Sequence, residues 1–356
     1  MAFPSSTLVK LCHCLAGKVP SKLDWMAVLE LANNTLTTPF LIDLVDQPDH
    51  VVPEDVKAFV REIYRRNALR NDRLRTQLEE TVAALNERGV IPVLLKGSAV
   101  LATAERSATR IMADLDILVD PDQVEAAMHA FADLDYQPHF RTPPESRKQY
   151  TDLKRARDVG MIDLHQAAPG PDYFYRPLGK LLEHCTPISV GRGTAYLPTP
   201  TVQAFMLIIH DQFQDNDYWV GEVDVRHLIE LRDLANAAEG IEWNRMMSFA
   251  PSRLARNAMA KQLVALAELF GVGVPAELRK GIIPALQYRR LLLQSRFPLA
   301  RWPLLSVALL DYRNYRRELG AEYQTDPRRN VALTLPRADT LRHLVGIVGN
   351  HRVGKV

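Results

Sequence analysis

The segment that most constrains this chain is a short apolar run with two acidic residues, ADLDILV at positions 113–119. Successive side chains of a β-strand point to opposite faces of the sheet. Asp114 and Asp116 are therefore predicted to lie on one face, with Leu115 and Ile117 buried on the other. Two carboxylates this close repel each other unless a cation neutralises them. The segment predicts a strand whose acidic face binds a divalent metal ion.

A second strand, GMIDLH at positions 160–165, carries one more acid. Alternation again places Asp163 and His165 on one face, opposite Ile162 and Leu164. A lone carboxylate in an otherwise apolar strand is costly unless it is paired or bound to a metal. Asp163 is therefore predicted to be the third carboxylate. Two roles stay open for His165, contact with a substrate or a hydrogen bond to a neighbouring acid.

An apolar run at positions 90–95 predicts a central strand, and Lys96, Gly97 and Ser98 follow it. Gly97 permits a tight turn, and Ser98 is predicted to cap a helix that begins at Ala99. Free N–H groups at such a helix start form a phosphate-binding site. Lys96 and Arg110 would add positive charge there, although Lys96 has the alternative of pointing to solvent at the strand end.

The composition is that of an ordinary soluble globular protein: 47% of the 356 residues are hydrophobic and 24% are charged. A net charge of +2 gives no general attraction to nucleic acid or membrane. Three cysteines fit a reducing compartment, and we found neither a secretory signal nor an apolar run of about 18 residues. We therefore expect a cytoplasmic protein with no membrane partner.

The remaining segments are mostly predicted as helices. In the N-terminal part, Leu74, Leu78, Val82 and Leu85 form an amphipathic stripe that Gly89 ends. Helices return from position 197. His210, Asp211 and Asp233 in this part have two interpretations, side chains that face the cleft of the site or buried pairs between helices, and we expect the buried pairs.

The basic segment 137–157 is predicted as part loop and part edge strand. It has two interpretations, a solvated charged hairpin or a rim that binds a triphosphate or an acidic acceptor.

Four motifs together carry a family resemblance: LLKG at 94–97, Arg110, DLDILV at 114–119 and IDLH at 162–165. In order and spacing they resemble the bacterial "uncharacterised nucleotidyltransferase" family of the DNA polymerase beta-like nucleotidyltransferase superfamily. The resemblance covers roughly residues 30–275. Ala113 departs from the glycine that many relatives carry, a difference that should not disturb a metal site.

The resemblance implies an α+β fold with a small mixed β-sheet. We expect a nucleotidyltransferase core at 90–196 between an N-terminal helical region at 1–89 and a C-terminal helical domain at 197–323. The helical domain would present the acceptor. The basic tail at 324–356 is expected to be flexible.

The resemblance also implies a reaction, metal-dependent transfer of an NMP group from a nucleoside triphosphate to an acceptor hydroxyl or amine, with release of pyrophosphate. Mg²⁺ is the expected ion, with Mn²⁺ as the alternative. The predicted catalytic and metal-binding residues are Asp114, Asp116 and Asp163; the predicted nucleotide-binding residues are Lys96, Gly97, Ser98 and Arg110. The acceptor stays open among a small molecule, a protein and RNA; no DNA is expected.

Three alternatives stay open at this point. A nucleotide-sugar glycosyltransferase also uses an Asp-x-Asp motif, but it explains neither the Gly-Ser turn nor the strand of Asp163. The acidic strands would otherwise be an ordinary exposed sheet face, or the site of a nucleotide-binding relative without catalysis. Acids that cluster on a sheet favour a functional site.

Overall fold

A computed structural model describes residues 6–48, 51–103, 107–141, 150–170, 172–307 and 310–311. Its contacts divide the chain into two compact units. The sheet unit consists of Leu36–Asp172 and Leu178–Met206. The helical unit consists of Met1–Thr35, Tyr173–Pro177 and Leu207–Val356.

The helices in chain order are α1 Thr7–Leu15, α2 Trp25–Asn34, α3 Ile42–Val45, α4 Glu54–Glu87, α5 Lys96–Thr103, α6 Val124–Asp133, α7 Pro200–Ile209, α8 Asp217–Val220, α9 Val225–Asn236, α10 Trp243–Ser248, α11 Arg253–Phe270 and α12 Ile282–Arg296. The strands are β1 Val93–Leu94, β2 Asp114–Leu118, β3 Gln137–Arg141, β4 Tyr150–Lys154, β5 Met161–His165, β6 Cys185–Val190 and β7 Gly193–Pro198. Short 3₁₀ turns connect several of them, and His210–Gln214 is a π-helical turn.

The strands of the sheet unit form one mixed sheet in the order β3-β4-β5-β2-β1-β7-β6. The pairs β2–β5 and β1–β7 are parallel, and the other neighbouring pairs are antiparallel. Two strands with acidic residues, β2 and β5, are therefore direct neighbours in the middle of the sheet. Their parallel register places Asp116 opposite Asp163.

Helix α4 packs on the apolar face of this sheet. The predicted stripe Leu74, Leu78, Val82 and Leu85 is fully buried in one core with Leu115, Ile117, Ile162 and Leu164. Burial of each such side chain contributes about 1.5–3 kcal/mol. The helix begins after Pro53 with two acids in its first turn, which suits the helix dipole. The face with Asp114 and Asp116 is thus opposite the packed core.

Two details of the strands differ from the sequence prediction. The predicted strand at 90–95 is reduced to Val93–Leu94, because Pro92 lacks an N–H donor and Lys96 turns the chain with φ 43°. The basic segment contributes β3, which is at the edge of the sheet, and β4, which lies inside it between β3 and β5. Residues 142–149 of that segment lie outside the described residues.

In the helical unit, α11 is the central helix and packs against α1, α9 and α12. Its apolar stripe, formed by Met259, Leu263, Leu266 and Phe270, is buried. Helix α11 ends at Phe270, and Gly271 follows it with φ 72°, a conformation that glycine adopts without strain. Apolar burial along α11 therefore organises this unit.

The predicted α+β fold is confirmed: a small mixed sheet is preceded and followed in the chain by helices. The four sequence boundaries stay a prediction, and residues 36–89 group with the sheet because α4 packs on it. The predicted tail at 324–356 lies outside the described residues. Among the described helices, none combines the length and apolar character that a membrane span requires.

Candidate active site

Four carboxylates occupy the acidic face of the sheet. Asp116 on β2 is paired in register with Asp163 on β5, and Asp163 is paired in turn with Asp152 on β4. Directly opposed residues on neighbouring strands have Cβ atoms about 4.5–5.5 Å apart. Asp114 precedes Asp116 by two residues and so lies on the same face. The structure therefore brings together the three predicted acids and adds Asp152; we call these four residues the acidic row.

Asp116 is the buried centre of the acidic row, with an exposed fraction of 3%. Its Oδ1 accepts a hydrogen bond from Lys96 Nζ at 2.8 Å and lies 2.9 Å from His165 Nε2. Burial alone would raise the pKa of Asp116, but the Lys96 charge and the His165 hydrogen bond hold it well below its ordinary value. Asp116 is therefore a permanent anion at neutral pH.

Lys96 points into the acidic row. Burial alone would lower the pKa of this ammonium, but the charges of Asp116, Asp114 and Asp163 outweigh burial and raise the pKa. The alternative in which Lys96 points to solvent is wrong for this structure, since its side chain is 21% exposed and bonds Asp116.

The protonation of Asp163 is strongly perturbed. Burial, followed by the charges of Asp114, Asp116 and Asp152, raises its pKa from 3.8 to about 8. Asp152 also has a raised pKa, mainly because of burial, while a hydrogen bond with Asp163 acts in the opposite direction. The raised pKa of Asp163 indicates a locally negative environment, which a bound proton or another cation would offset.

His165 lies within ligand distance of this row. One ligand atom from each of Asp116, Asp163 and His165 lies within 4.8 Å of the other two. Because His165 Nε2 is also hydrogen-bonded to Asp116, the second of its two predicted roles is observed in the structure. That contact orients the carboxylate of Asp116.

The turn after β1 differs in detail from the predicted one. The helix α5 begins at Lys96, and Lys96 rather than Gly97 has the left-handed backbone conformation. The small size of Gly97 serves a close approach instead, because a Cβ there would lie 2.7 Å from Arg110 Nη1 and 2.8 Å from Met112 Sδ. Gly97 therefore admits Arg110 to the start of α5.

Ser98 is placed in the first turn of α5 and is fully buried. Its N–H donates to the Leu95 carbonyl at 3.0 Å, so that this N–H is already used within the turn. Its hydroxyl Oγ is buried and has no hydrogen-bond partner among the described residues. The predicted capping role of Ser98 is therefore replaced by a buried hydroxyl with unused hydrogen-bonding capacity.

Arg110 is held in place by two asparagines of α4 that the sequence reasoning missed. Asn67 Nδ2 and Asn71 Nδ2 donate to the Arg110 carbonyl at 2.9 and 2.8 Å, and Asn71 also donates to the Ser107 carbonyl at 2.8 Å. Both asparagines are buried. A signal exists in the sequence: two asparagines four residues apart continue the buried stripe of α4 toward its N-terminus.

Part of the basic segment has a structural role. Arg155 is buried and bonds Asp158, Glu80 and the Leu134 carbonyl. Arg157 pairs with Glu80 at 2.7 Å. These two arginines connect the hairpin to α4, and the interpretation of a substrate rim does not extend to them.

Asp152 was missed because its segment was interpreted by its positive charges. The sequence signal is weak: YTDLK at 150–154 contains few apolar residues, and its pairing with β5 depends on a loop between them. Asp233, expected in a buried pair, is instead exposed and pairs with its neighbour Arg232 at 2.8 Å.

Comparisons with known proteins identify the family to which this chain belongs. No curated protein matched the sequence. A solved structure that matches is the solution structure of the antibiotic-resistance factor ANT(2″)-Ia, with 12% identity, 71% of this chain and 97% of that chain covered, and a TM-score of 0.29. A likeness of this size supports no inference about the site. The family described as "Uncharacterised nucleotidyltransferase" matches residues 21–288. That match spans most of the chain and includes every residue of the acidic row, so this protein belongs to the uncharacterised nucleotidyltransferase family.

Proposed function

We propose that this protein is a metal-dependent nucleotidyltransferase that moves an NMP group from a nucleoside triphosphate to an acceptor hydroxyl or amine and releases pyrophosphate. The observation that carries the proposal is the acidic row, in which Asp116, Asp163 and Asp152 are in register on three neighbouring strands. Family membership supports the class of reaction. We infer that the protein works in the cytoplasm.

The acidic row fits a divalent metal ion by its donor chemistry. Mg²⁺ prefers oxygen ligands and retains several waters, so that two or three carboxylates suffice to bind it. Asp152 Oδ1 is buried without a hydrogen-bond partner in the described part of the chain, and the pKa of Asp163 is raised by burial and neighbouring anions. Both features favour a cation. Asp114, Asp116 and Asp163 would hold Mg²⁺, with Mn²⁺ as an alternative, and Asp152 would add negative charge beside Asp163.

When bound, the metal ion would neutralise charge on the phosphate oxygens and on the departing pyrophosphate. The residues of the chain hold the triphosphate in position. Lys96 and Arg110 provide fixed positive charges for the triphosphate, and Gly97 leaves the space in which Arg110 reaches the turn. The buried hydroxyl of Ser98 is a donor for a phosphate oxygen. Such positioning accounts for much of the catalysis in phosphoryl-type transfers.

The reaction balances as one displacement at the α-phosphorus. The acceptor oxygen or nitrogen forms a bond to that phosphorus, the bond from phosphorus to the bridging oxygen breaks, and pyrophosphate leaves with the electron pair. The proton of the acceptor passes to Asp163, a carboxylate that lies in register with Asp116 on the same face of the sheet. His165 orients Asp116 throughout.

The acceptor is proposed at the level of its chemistry, a hydroxyl or amine on a small molecule, a protein or RNA. The near-neutral net charge of +2 disfavours long nucleic acid, and we propose no DNA substrate. The positive charge of the basic segment 137–157 keeps RNA among the candidate acceptors.

The test is incubation of the full chain with α-labelled ATP, CTP, GTP and UTP, separately, against pooled metabolites, RNA and protein. We expect metal-dependent label in one acceptor pool with one preferred nucleotide. Asp116→Asn should abolish labelling, whereas Asp72→Asn on the exposed face of α4 should not. Equal labelling by Asp116→Asn, or none by the wild-type protein in any pool, would contradict the proposal.

A further inference from the structure

A second group of metal-ligand side chains lies in the helical unit, apart from the residues of the acidic row. His210, Asp211 and His227 each offer one ligand atom within 4.8 Å of the other two. His227 Nδ1 is in direct hydrogen-bond contact with Asp211 Oδ1. His210 Nδ1 lies 3.8 Å from the same oxygen. We call these three residues the His210 cluster.

The backbone at the His210 cluster is a π-helical turn. The Asp215 N–H donates to the His210 carbonyl at 3.0 Å, which closes the turn His210–Gln214. In an α-helix, residues five apart point about 140° away from each other. The wider π-turn aligns them, and Asp215 Oδ2 therefore lies 3.1 Å from His210 Nδ1. Such turns are rare and frequently occur at functional sites. Asp215 lies beside His210 at this turn and is not one of the three residues whose ligand atoms converge.

The His210 cluster is buried. Asp211 is fully buried and His227 is 2% exposed, while the side chain of His210 is 12% exposed. His210 Nδ1 is inaccessible to solvent and makes no hydrogen bond with acceptable geometry within the described residues. A buried polar atom without a partner costs about 1–3 kcal/mol. The position of this nitrogen between two carboxylate oxygens is what a ligand to a cation requires.

The side chains around the cluster orient Asp211. Gln262 Nε2 donates to Asp211 Oδ2 at 3.3 Å and leaves Oδ1 directed at the histidines. Such contacts to a ligand carboxylate fix its orientation in metal sites. Asp224 Oδ1 accepts from the Arg226 and His227 N–H groups and so caps α9. Asp224 Oδ1 is thus used at the helix start, and Asp224 Oδ2 lies 3.6 Å from His227 Nδ1, whereas Asp211 and Asp215 flank His210.

Two cations approach this region, and their donors are directed at other groups. Arg226 Nη2 lies 3.4 Å from Asp224 Oδ2. Lys261 Nζ donates to Gln212 Oε1 at 3.2 Å and to the Glu222 carbonyl. The acceptors of these hydrogen bonds are therefore Asp224, Gln212 and Glu222.

We propose that the His210 cluster binds one divalent transition-metal ion of the Zn²⁺ class. The ligands are His210 Nδ1, His227 Nδ1 and Asp211 Oδ1, and a water molecule takes the fourth position. Ligand atoms about 2.0–2.1 Å from a tetrahedral Zn²⁺ lie roughly 3.3 Å apart. The separation of 3.8 Å between His210 Nδ1 and Asp211 Oδ1 is close to this spacing, and the contact between His227 and Asp211 lengthens on binding. The ion joins the π-turn to the first turn of α9.

This site differs in chemistry from the acidic row. Two imidazole nitrogens with carboxylates suit Zn²⁺ and its transition-metal neighbours, whereas a set of carboxylates suits Mg²⁺. The inference does not depend on nucleotidyl transfer. Zn²⁺ binding and Mg²⁺-dependent labelling are therefore tested separately.

The test is titration of the full chain, stripped with a chelator and dialysed, with Zn²⁺ by calorimetry and with Co²⁺ by visible absorption. The variants are His210→Gln and His227→Gln, with His165→Gln to report on the acidic row. His129→Gln, on the exposed side of α6, is the matched control. Thermal unfolding with and without Zn²⁺ gives a second measurement.

We expect stoichiometric Zn²⁺ binding, a Co²⁺ absorption band, and a Zn²⁺-dependent rise in melting temperature. His210→Gln should weaken Zn²⁺ binding about tenfold or more and remove the rise, and His165→Gln and His129→Gln should keep both. If His227→Gln does not fold, the result for His210→Gln decides whether the cluster binds Zn²⁺, because His210 is the less buried residue. Absence of Zn²⁺ binding in the wild-type chain, unchanged affinity in His210→Gln, or loss of binding only in His165→Gln overturns the proposal.

Discussion

Asp152 lies directly opposite Asp163 on the neighbouring antiparallel strand, in the same row as Asp116. Both carboxyl groups have raised pKa values, and burial is the largest cause for each. Deprotonation of both carboxyl groups is therefore unfavourable unless a cation is near. This relationship gives Asp152 a predicted part in metal binding.

Asp152→Asn should weaken Mg²⁺ binding, because it removes one negative charge beside Asp163. We expect the Mg²⁺ concentration for half-maximal labelling to rise about tenfold, the size of effect that groups around metal ligands have. Measurement of the transfer rate against Mg²⁺ concentration checks this. Asp72→Asn is the control, and identical Mg²⁺ curves for the two variants would remove Asp152 from the site.

Lys96→Met should destabilise the metal-free protein by about 2 kcal/mol, because it removes a charged hydrogen bond to the buried Asp116. Mg²⁺ should restore part of this loss, since the ion supplies a replacement positive charge. Urea unfolding with and without Mg²⁺ measures both effects. A loss of stability that Mg²⁺ leaves unchanged would indicate that Asp116 does not bind the ion.

Gly97→Ala should impair nucleotide binding while the protein stays folded. The added Cβ would meet Arg110 Nη1 at 2.7 Å, and the flexible arginine would shift away from the turn. We expect the KM for the nucleotide to rise at least several-fold. Gly273→Ala is the matched control, since a Cβ at that position has no neighbour within 4 Å. An unchanged KM in Gly97→Ala would argue against Arg110 as a phosphate contact.

Asn71→Ala should cost about 1–3 kcal/mol of stability, because buried carbonyls of Ser107 and Arg110 lose a donor. The KM for the nucleotide should rise with it, since Arg110 would be less firmly held. Chemical denaturation and nucleotide kinetics measure the two effects. A stability loss without a change in KM would make Asn71 a purely structural residue.

The pH dependence of stability should depend on Asp163. Its pKa is about 8 in the folded protein against an ordinary value of 3.8, so the folded state binds the proton more tightly than the unfolded state. The contribution of Asp163 to stability is therefore full below about pH 4 and falls as the pH rises toward 8. Metal-free Asp163→Asn should lack this fall. The difference between wild-type and variant unfolding free energies at pH 5 and pH 8 tests it.

Mg²⁺ should stabilise the wild-type protein more at pH 8 than at pH 6, because the ion competes with the proton on Asp163. The shift in melting temperature at the two pH values is the measurement. An equal shift at both would mean that Asp163 does not bind the ion.

The local part of this site could be predicted from the sequence. Asp114, Asp116 and Asp163 stand in strands whose own alternation assigns their faces, and a period of two is a local property. Asp152 could not be predicted in this way, since its place in the row depends on the pairing of β4 with β5. The contacts of Asn67 and Asn71 with the Arg110 carbonyl depend likewise on tertiary packing.

The turn after β1 shows a second limit of prediction from the sequence. Sequence rules assign a left-handed residue to glycine, whereas the structure places it at Lys96 and uses Gly97 for close packing. The strain at Lys96 is accompanied by its ion pair with Asp116, a contact that no local rule contains.

The reaction proposed for the acidic row is nucleotidyl transfer rather than phosphoryl or glycosyl transfer. Parallel single-turnover reactions with α-labelled and γ-labelled nucleoside triphosphate, in the presence of Mg²⁺ and the acceptor pool, test it most directly. We expect the α label to enter the acceptor and the γ label to appear in pyrophosphate, and we expect Asp116→Asn to give neither product. Entry of the γ label into the acceptor, or transfer by Asp116→Asn at the wild-type rate, would contradict it.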